Sequence, residues 1–230
     1  SSVFLGDNKK MSPFDRNSIY GMYNRTENYQ SDCSYISQIK AFKDNVSIKS
    51  CLSYTFSVSN SQGASLIKDR PFTAEMTRSI MLLKEKPYRP RMADYRIGVF
   101  FTGREQLGEG AKTTAPVYYA NRWDIQPSDT AAYLRGEKVK PTKQIVFYID
   151  NTFPEKWKPY LREGVTQWNE LFEQIGFKDV VAAKDFPTDD PEFDPDNIKY
   201  SCVRYAPSSI ENAMGPSWVD PRSGEILNAS

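Results

Sequence analysis

Residues 144–186, QIVFYIDNTFPEKWKPYLREGVTQWNELFEQIGFKDVVAAKDF, carry the strongest pattern in the chain. Residues 144–150 form a continuous apolar run of strand length, which is typical of a strand covered on both faces. Apolar residues then recur three or four positions apart, which predicts one stripe along a helix. The stripe consists of Trp157, Leu161, Val165, Trp168, Phe172 and Ile175. Residues 179–186 predict a second strand, so the order indicates a parallel pair joined by a right-handed crossover.

Local signals mark both ends of the predicted helix. Thr152 and Glu155 have the spacing of a capping box. Pro159 is costly deep inside a helix, so the regular helix is expected to begin near Lys158. Gly176 is expected to end the helix. The two tryptophans of the stripe are interpreted as core residues packed against the sheet, because helical spacing is typical of packing and not of a ligand platform.

The end of the chain predicts a third strand and a hairpin. Residues 198–206 have strand composition, and the turn sequence PRSG at 221–224 separates residues 215–220 from EILNAS at 225–230. A hairpin strand at the edge of a sheet can receive an extended peptide by strand addition. The alternative is that these residues form an ordinary internal strand.

The first half of the chain predicts a β-rich unit. After a polar lead-in, residues 46–58 alternate between apolar and polar side chains, which indicates a half-buried strand. Further strands are expected over residues 72–83, 96–102 and 115–125. Ser128 is then expected to cap a short helix that Gly136 ends.

A charged, proline-containing linker predicts a domain boundary near residue 140. The fold class is therefore expected to be α+β. Residues 1–140 would form a β-rich N-terminal domain with its lead-in segment. Residues 141–230 would form a partial α/β subdomain, a mixed sheet with one long amphipathic helix.

Charge and histidine content exclude several classes of function. The 30 basic and 29 acidic residues nearly cancel, which argues against nucleic acid as a partner. The sequence has no apolar run long enough to span a membrane. The absence of histidine excludes Ser-His and Cys-His nucleophile pairs and any His-ligated metal within these 230 residues.

The three cysteines leave two interpretations open. Cys33, Cys51 and Cys202 have no CxxC spacing, so a structural zinc site is not expected. Cys33 and Cys51 could pair in an extracytoplasmic protein. The alternative is three buried thiols, since free cysteine is often a core residue.

Four weaker signals have simpler explanations. The spacing of Gly103 and Gly108 resembles a phosphate-binding loop, but Glu109 stands where that loop needs lysine. Glu163 and Glu170 are expected on a solvated helix face. An acidic segment could bind Ca²⁺ or form a solvated loop, the second being favoured; its carboxylates are Asp189, Asp190, Glu192, Asp194 and Asp196. An aromatic platform for carbohydrate is a further alternative to packing; it would consist of Tyr118, Tyr119 and Trp123.

Residues 143–230 resemble a family of large secreted bacterial zinc-dependent metalloproteases of the metzincin type. The most specific segments are GFKDVVAAKDFPTDDPEFDPDNIKYSCVRY, residues 176–205, and AMGPSWVDPRSGEILNAS, residues 213–230. KEKPYRPRMADYRIGVFFT, residues 84–102, and RWDI, residues 122–125, resemble the N-terminal domain of the same family.

The resemblance implies that the intact protein hydrolyses peptide bonds with zinc-activated water and acts outside the cytoplasm. The family signature H-E-x-x-H is absent, so this chain is expected to be an inactive fragment without catalytic or zinc-binding residues. The remainder of the catalytic domain could be a separate chain. In metzincins the strand that borders the cleft pairs with the substrate backbone. The matching positions are Ile226, Leu227, Asn228 and Ala229.

An alternative from a different class is a non-catalytic protein-binding or inhibitory module built on a degenerate protease half. The residues encoded after Ser230, and the zinc content of the intact gene product, would distinguish the two hypotheses.

Overall fold

A computed structural model describes residues 23–107, 114–207 and 213–230. The chain divides into two compact units, the first ending at Leu82 and the second running from Leu83 to Ser230. Strands account for 45% of the described residues and helices for 13%. The protein is therefore built mainly from small sheets.

The first unit is a four-stranded antiparallel sheet centred on one long strand, β3. β4 pairs along one edge of β3, and β1 and β2 pair one after the other along its opposite edge. The four strands are β1 (Tyr23–Tyr29), β2 (Tyr35–Ala41), β3 (Asn45–Asn60) and β4 (Ser65–Met81).

The alternation predicted for β3 is confirmed. Ile48, Ser50, Leu52 and Tyr54 are buried, while the residues between them are only half-buried. Because successive side chains of a strand point to opposite faces, one face of β3 forms the core of this unit. The predicted strand over residues 72–83 is also present, as the second half of β4.

The second unit begins with an antiparallel ribbon of β5 (Phe101–Leu107) and β6 (Thr114–Ala120). The strand expected over residues 96–102 is displaced towards the C-terminus. The reason is local turn chemistry: the Asp94 side chain accepts hydrogen bonds from the Arg96 backbone N–H at 3.0 Å and guanidinium at 2.6 Å. An aspartate that binds the backbone two residues ahead favours a turn over a strand.

A short helix, α1 (Thr130–Leu134), follows β6. Its N-cap is Asp129, not Ser128 as expected, because the Asp129 carboxylate accepts the backbone N–H of Ala132 at 2.9 Å. Gly136 lies beyond the end of the helix with φ +84°, as expected for a C-terminal glycine.

Three parallel strands form the central sheet of the second unit. β7 (Ile145–Ile149) lies between β8 (Val181–Asp185) and β9 (Ser201–Val203) and is parallel to both. The predicted parallel pair is confirmed. The mixed sheet was wrong, because the antiparallel ribbon of β10 (Ser217–Val219) and β11 (Ile226–Ala229) is a separate two-stranded sheet.

The prediction of a single long amphipathic helix was also wrong, and so was the architecture predicted for residues 141–230. A 3-10 turn (Glu155–Trp157) precedes α2 (Lys158–Thr166), and α3 (Asn169–Gln174) follows after a break. The expected start near Lys158 is confirmed. The proposed capping box is absent, because the Thr152 backbone N–H and hydroxyl both donate to Asp150.

Two polar side chains lie at the break between the helices. The Thr166 hydroxyl donates to the Arg162 carbonyl at 2.9 Å, a bond that often bends helices. The Asn169 amide donates to the Val181 carbonyl and accepts the Val181 N–H, both at 2.8 Å. These bonds fix Asn169 against the first residue of β8.

The helices contribute fewer residues to the core of the second unit than their apolar stripe predicted. Its buried residues are Ala132, Val139, Ile145, Phe177, Val180 and Val181, with Val165 and Phe172 packed at its border. Trp157 is 44% exposed and Trp168 is 59% exposed. Their assignment as core residues was therefore wrong.

The domain boundary predicted near residue 140 lies inside the second compact unit. The division of the chain into domains at that residue stays a prediction. Among the described residues, no helix has the length and apolar character needed to cross a membrane.

Candidate functional site

The candidate site is formed around the β10–β11 ribbon, the hairpin predicted from the sequence. Ser217 is paired with Ala229 and Trp218 with Asn228. The opposite side of β11 faces β9: the Ala229 N–H donates to the Ser201 hydroxyl at 3.1 Å, and the Cys202 N–H donates to the Ser230 hydroxyl at 3.0 Å. β11 is therefore flanked on both sides.

The outer strand of the ribbon is β10. Among the described residues it pairs only with β11, and its Trp218 is 41% exposed. An unpaired strand edge presents backbone N–H and C=O groups that can accept an added strand. The geometry of strand addition therefore favours β10 over β11.

The four residues predicted to bind substrate have different surroundings. Ile226 and Leu227 line a cavity described below. Asn228 is buried, and its amide donates to the carbonyls of Ile198 at 2.9 Å and Tyr200 at 2.7 Å. Asn228 and Ala229 thus tie the ribbon to the segment around β9, and a substrate-binding role for the four residues stays a prediction.

The turn between β10 and β11 is built on a buried aspartate. Asp220 is fully buried, and its carboxylate accepts hydrogen bonds from the Arg222 backbone N–H at 2.8 Å and from the Arg222 guanidinium at 2.8 Å. These hydrogen bonds from Arg222 lower the pKa of Asp220 despite its burial. The turn is therefore held by an ion pair whose carboxylate is buried and whose guanidinium is partly exposed.

Gly224 lets the turn approach the end of β6. Its φ is +77°, and a Cβ atom there would lie 2.5 Å from the carbonyl oxygen of Ala120. The Arg122 N–H donates to the Gly224 carbonyl, and the Ile226 N–H donates to the Arg122 carbonyl, both at 2.9 Å. The segment after β6 thus positions the ribbon through its backbone.

A cavity of about 270 Å³ opens beside the start of β11. Glu225 is 3% exposed, and its Oε1 accepts a hydrogen bond from the Lys84 ammonium at 2.5 Å. Its other oxygen, Oε2, is buried and has no hydrogen-bond partner among the described residues. A buried carboxylate oxygen without a donor is costly, so this cavity can accept an N–H or O–H donor at Glu225. The remaining lining includes Trp123, Tyr148, Lys199, Tyr200, Ile226 and Leu227.

Aromatic rings form one wall of this region. The ring centroid of Phe193 lies 4.8 Å from that of Tyr200 and 5.2 Å from that of Tyr148. Burial raises the pKa of the Tyr148 hydroxyl above its ordinary value, so Tyr148 is a neutral donor at physiological pH.

Phe193 also anchors the acidic segment that was considered for calcium. The Asp190 carboxylate accepts the Glu192 N–H at 2.9 Å, and the Asp194 carboxylate accepts the Asp196 N–H at 2.8 Å. These carboxylates stabilise turns of their own loop. Within the described ranges, no three His, Cys, Asp or Glu side chains are grouped so as to hold a metal ion. Calcium binding stays a prediction.

The cysteines are thiols in the structure. Cys33 is exposed, Cys51 is half-buried and Cys202 is buried. Burial raises the pKa of Cys202 to about 11, so its thiol stays protonated at neutral pH. The pairing of Cys33 with Cys51 is not formed.

The remaining sequence signals are the aromatic residues, the helix glutamates and the glycine loop. Trp123 packs edge-on against Phe147 with centroids 6.3 Å apart, and Tyr118 packs against Phe101 at 5.2 Å, which fits packing better than a carbohydrate platform. Glu163 and Glu170 are exposed, as expected for a solvated face. Gly108 and Glu109 of the loop compared with a phosphate site lie outside the described residues.

Sequence reasoning missed Lys84, Arg122 and Glu225. These residues are brought together by contacts between segments more than 100 positions apart, such as Lys84 with Glu225. A lone lysine or glutamate has no local signal of such a pairing. The exception was the turn sequence PRSG, whose location between two strands was predictable.

The fold and site define a β-rich chain with a strand edge, that of β10, unpaired among the described residues, and with a small polar cavity next to the inner strand of the same ribbon. A family described as "Domain of unknown function (DUF5117)" matches residues 1–128, and the chain belongs to this family. No curated protein matches the chain, and no solved structure matches it.

Proposed function

We propose that this chain is part of a secreted, zinc-dependent metallopeptidase of the metzincin type, to which it contributes a peptide-binding edge. The observation that carries the proposal is the β10–β11 ribbon, whose outer strand is unpaired among the described residues while its inner strand is fixed against β9. The resemblance of residues 143–230 to that family supports the same assignment and an extracytoplasmic location.

The role of this chain in the reaction would be to bind and orient the substrate. An extended peptide would add to β10 through backbone hydrogen bonds, which are independent of the peptide sequence. This arrangement would hold a peptide bond in an extended conformation, which favours a defined approach of the reacting groups.

Zinc, when bound, would supply an activated water for attack on the peptide carbonyl. The residues of this chain do not fit such a site, since the sequence has no histidine. In this proposal the residues of the chain bind the substrate and do not bind the zinc ion. The metal ligands and the general base would belong to residues outside these 230.

Peptide binding by the chain can be tested with an extended peptide and its backbone N-methylated counterpart. Methylation removes N–H donors but keeps the side chains, so only strand addition should be lost. We expect the unmodified peptide to shift the backbone NMR signals of residues 217–219, and the methylated peptide to leave them unchanged. Equal binding of the two peptides would contradict strand addition at β10.

Peptidase activity must be tested on the complete gene product. We expect cleavage of an unfolded protein substrate, loss of cleavage on chelation, and recovery with added zinc. The 230-residue chain alone should not cleave. If the complete product binds peptide but neither contains zinc nor cleaves, the alternative of a non-catalytic binding module is favoured, because an open strand edge serves either function.

A further inference from the structure

A second cleft lies on the other side of the segment that holds the ribbon. Two neighbouring residues of that segment line different cavities. Trp123 lines the cavity beside Glu225, whereas Arg122 lines a separate cleft of about 560 Å³. This cleft is bounded by Tyr88, Arg89, Pro90, Arg91, Arg122 and Gln126. Three of the six residues are arginines, and none is acidic.

The Arg122 guanidinium is held in a fixed orientation. Its central carbon lies 4.2 Å from the centroid of the Tyr88 ring, Nη1 donates to the Tyr88 hydroxyl at 2.8 Å, and Nη2 donates to the Arg89 carbonyl. A guanidinium carries five N–H donors, so within the described ranges these two hydrogen bonds leave three donors for other partners. One of them, on Nε, is buried without an acceptor in the part of the chain that the structure describes. Arg122 is thus an oriented cation with remaining hydrogen-bonding capacity.

Among the described residues, the three arginines of the cleft are not paired with a carboxylate. Several other arginines of this unit, though not Arg104, are paired with carboxylates: Arg96 with Asp94, Arg162 with Asp185, and Arg222 with Asp220. Within the same described ranges, Arg89, Arg91 and Arg122 form no such ion pair. Guanidinium groups bind carboxylate and phosphate oxygens in a bidentate manner, so a cleft lined by three arginines is suited to an anion.

Neutral donors are also present. The Tyr88 oxygen accepts hydrogen bonds from Arg122 at 2.8 Å and from the Gln126 amide at 3.5 Å. Because that oxygen already accepts two hydrogen bonds, its own O–H proton is free to be donated to a ligand. Asp124 accepts the Gln126 amide at 3.0 Å, so one carboxylate lies next to the cleft, although Asp124 itself lines the other cavity.

We infer that the cleft formed by Arg89, Arg91 and Arg122 is a binding site for a doubly charged oxyanion of the phosphate type. A lining with three arginines fits a ligand with two negative charges better than a ligand with a single charge. Because the Arg122 backbone bonds Gly224 and Ile226, a bound anion would also stabilise the attachment of the β10–β11 ribbon. The inference does not depend on peptidase activity.

The test is a titration of the whole chain with inorganic phosphate at constant ionic strength, followed by calorimetry and by thermal unfolding. We expect saturable binding and a rise in Tm. Arg91→Gln and Arg89→Gln should each weaken binding by about tenfold or more, the loss of one charge-assisted hydrogen bond. Arg122→Gln should weaken it further. If Arg122→Gln fails to fold, the other two variants still decide the question.

Arg135→Gln is the matched control, because Arg135 is an exposed arginine paired with Glu137 away from the cleft. It should bind phosphate like the wild type. Acetate at the same ionic strength should bind much more weakly than phosphate, and equal affinities would overturn the assignment to a dianion. Non-saturable phosphate binding, or equal loss in Arg135→Gln and Arg91→Gln, would overturn the site itself.

Discussion

At the scale of single residues, the buried carboxylate of Asp220 should make stability depend on acidity. Hydrogen bonds from Arg222 lower its pKa in the folded protein below the ordinary value of 3.8. A group with a lowered folded pKa contributes stability above its unfolded pKa, and that contribution is lost as pH falls through the folded pKa. We therefore expect the free energy of unfolding to fall below about pH 4.

The substitution Asp220→Asn isolates this contribution. It removes the charge that Arg222 neutralises and should destabilise the protein by about 2–4 kcal/mol at neutral pH. Urea unfolding followed at several pH values should show a difference between wild type and variant that shrinks on acidification. Asp189→Asn, an exposed control, should change little at any pH. Parallel curves for wild type and Asp220→Asn would rule out the assigned pKa direction.

Substitution of Gly224 should destabilise the protein by more than its positive φ alone would explain. Gly224→Ala would place Cβ 2.5 Å from the Ala120 carbonyl oxygen, a backbone atom that cannot move aside independently. Gly136→Ala is the matched control, because its φ of +84° is similar but its Cβ would meet nothing within 4 Å. We expect a cost of about 1 kcal/mol for the control and clearly more for Gly224→Ala. Equal midpoints in chemical unfolding would contradict the close approach.

At the scale of elements, the sequence predicted what depends on near neighbours. The strand periodicity of residues 46–58, the parallel pair of β7 with β8, and the hairpin after Pro221 follow from local composition and spacing, and all are present. The long helix was wrong because hydrophobic spacing continued across a point where Asn169 bonds the backbone of β8. A periodicity of apolar residues does not record such a long-range polar contact.

Asn169 offers a direct test of that explanation. Asn169→Ala would leave the N–H and C=O of the buried Val181 without their partners, so we expect a loss of about 2 kcal/mol or more. Asn151→Ala is a suitable control, since the Asn151 amide makes one exposed hydrogen bond, to the Phe186 carbonyl. It should cost well under half as much. A gain of helicity by circular dichroism with no loss of stability in Asn169→Ala would show that Asn169 interrupts the helix without anchoring β8.

At the scale of the whole molecule, the candidate site depends on contacts that no local pattern contains. The ribbon is attached by Arg122, the cavity is closed by Lys84 and Glu225, and β11 is fixed through Ser201. Each contact joins segments distant in sequence, and each uses a residue type that is common on surfaces. The sequence could therefore predict that a turn precedes β11, but not which residues would surround it.

The division into two units leads to a prediction about unfolding. All four tryptophans, at positions 123, 157, 168 and 218, belong to the second unit, so their fluorescence reports on that unit alone. Leu52 of the first unit and Ile149 of the second are both fully buried. Replacing either by alanine should cost about 2–5 kcal/mol through lost contacts and the cavity left behind.

If the units are separately stable, the two substitutions should have different signatures. Circular dichroism reports on the strands of both units. Leu52→Ala should therefore lower the midpoint of one part of the circular dichroism transition and leave the fluorescence midpoint unchanged. Ile149→Ala should lower the fluorescence midpoint by an amount similar to its effect on circular dichroism. Two-state unfolding of small single domains requires all probes to coincide. Coincident shifts of both probes in Leu52→Ala would therefore mean that the two units unfold as one cooperative structure.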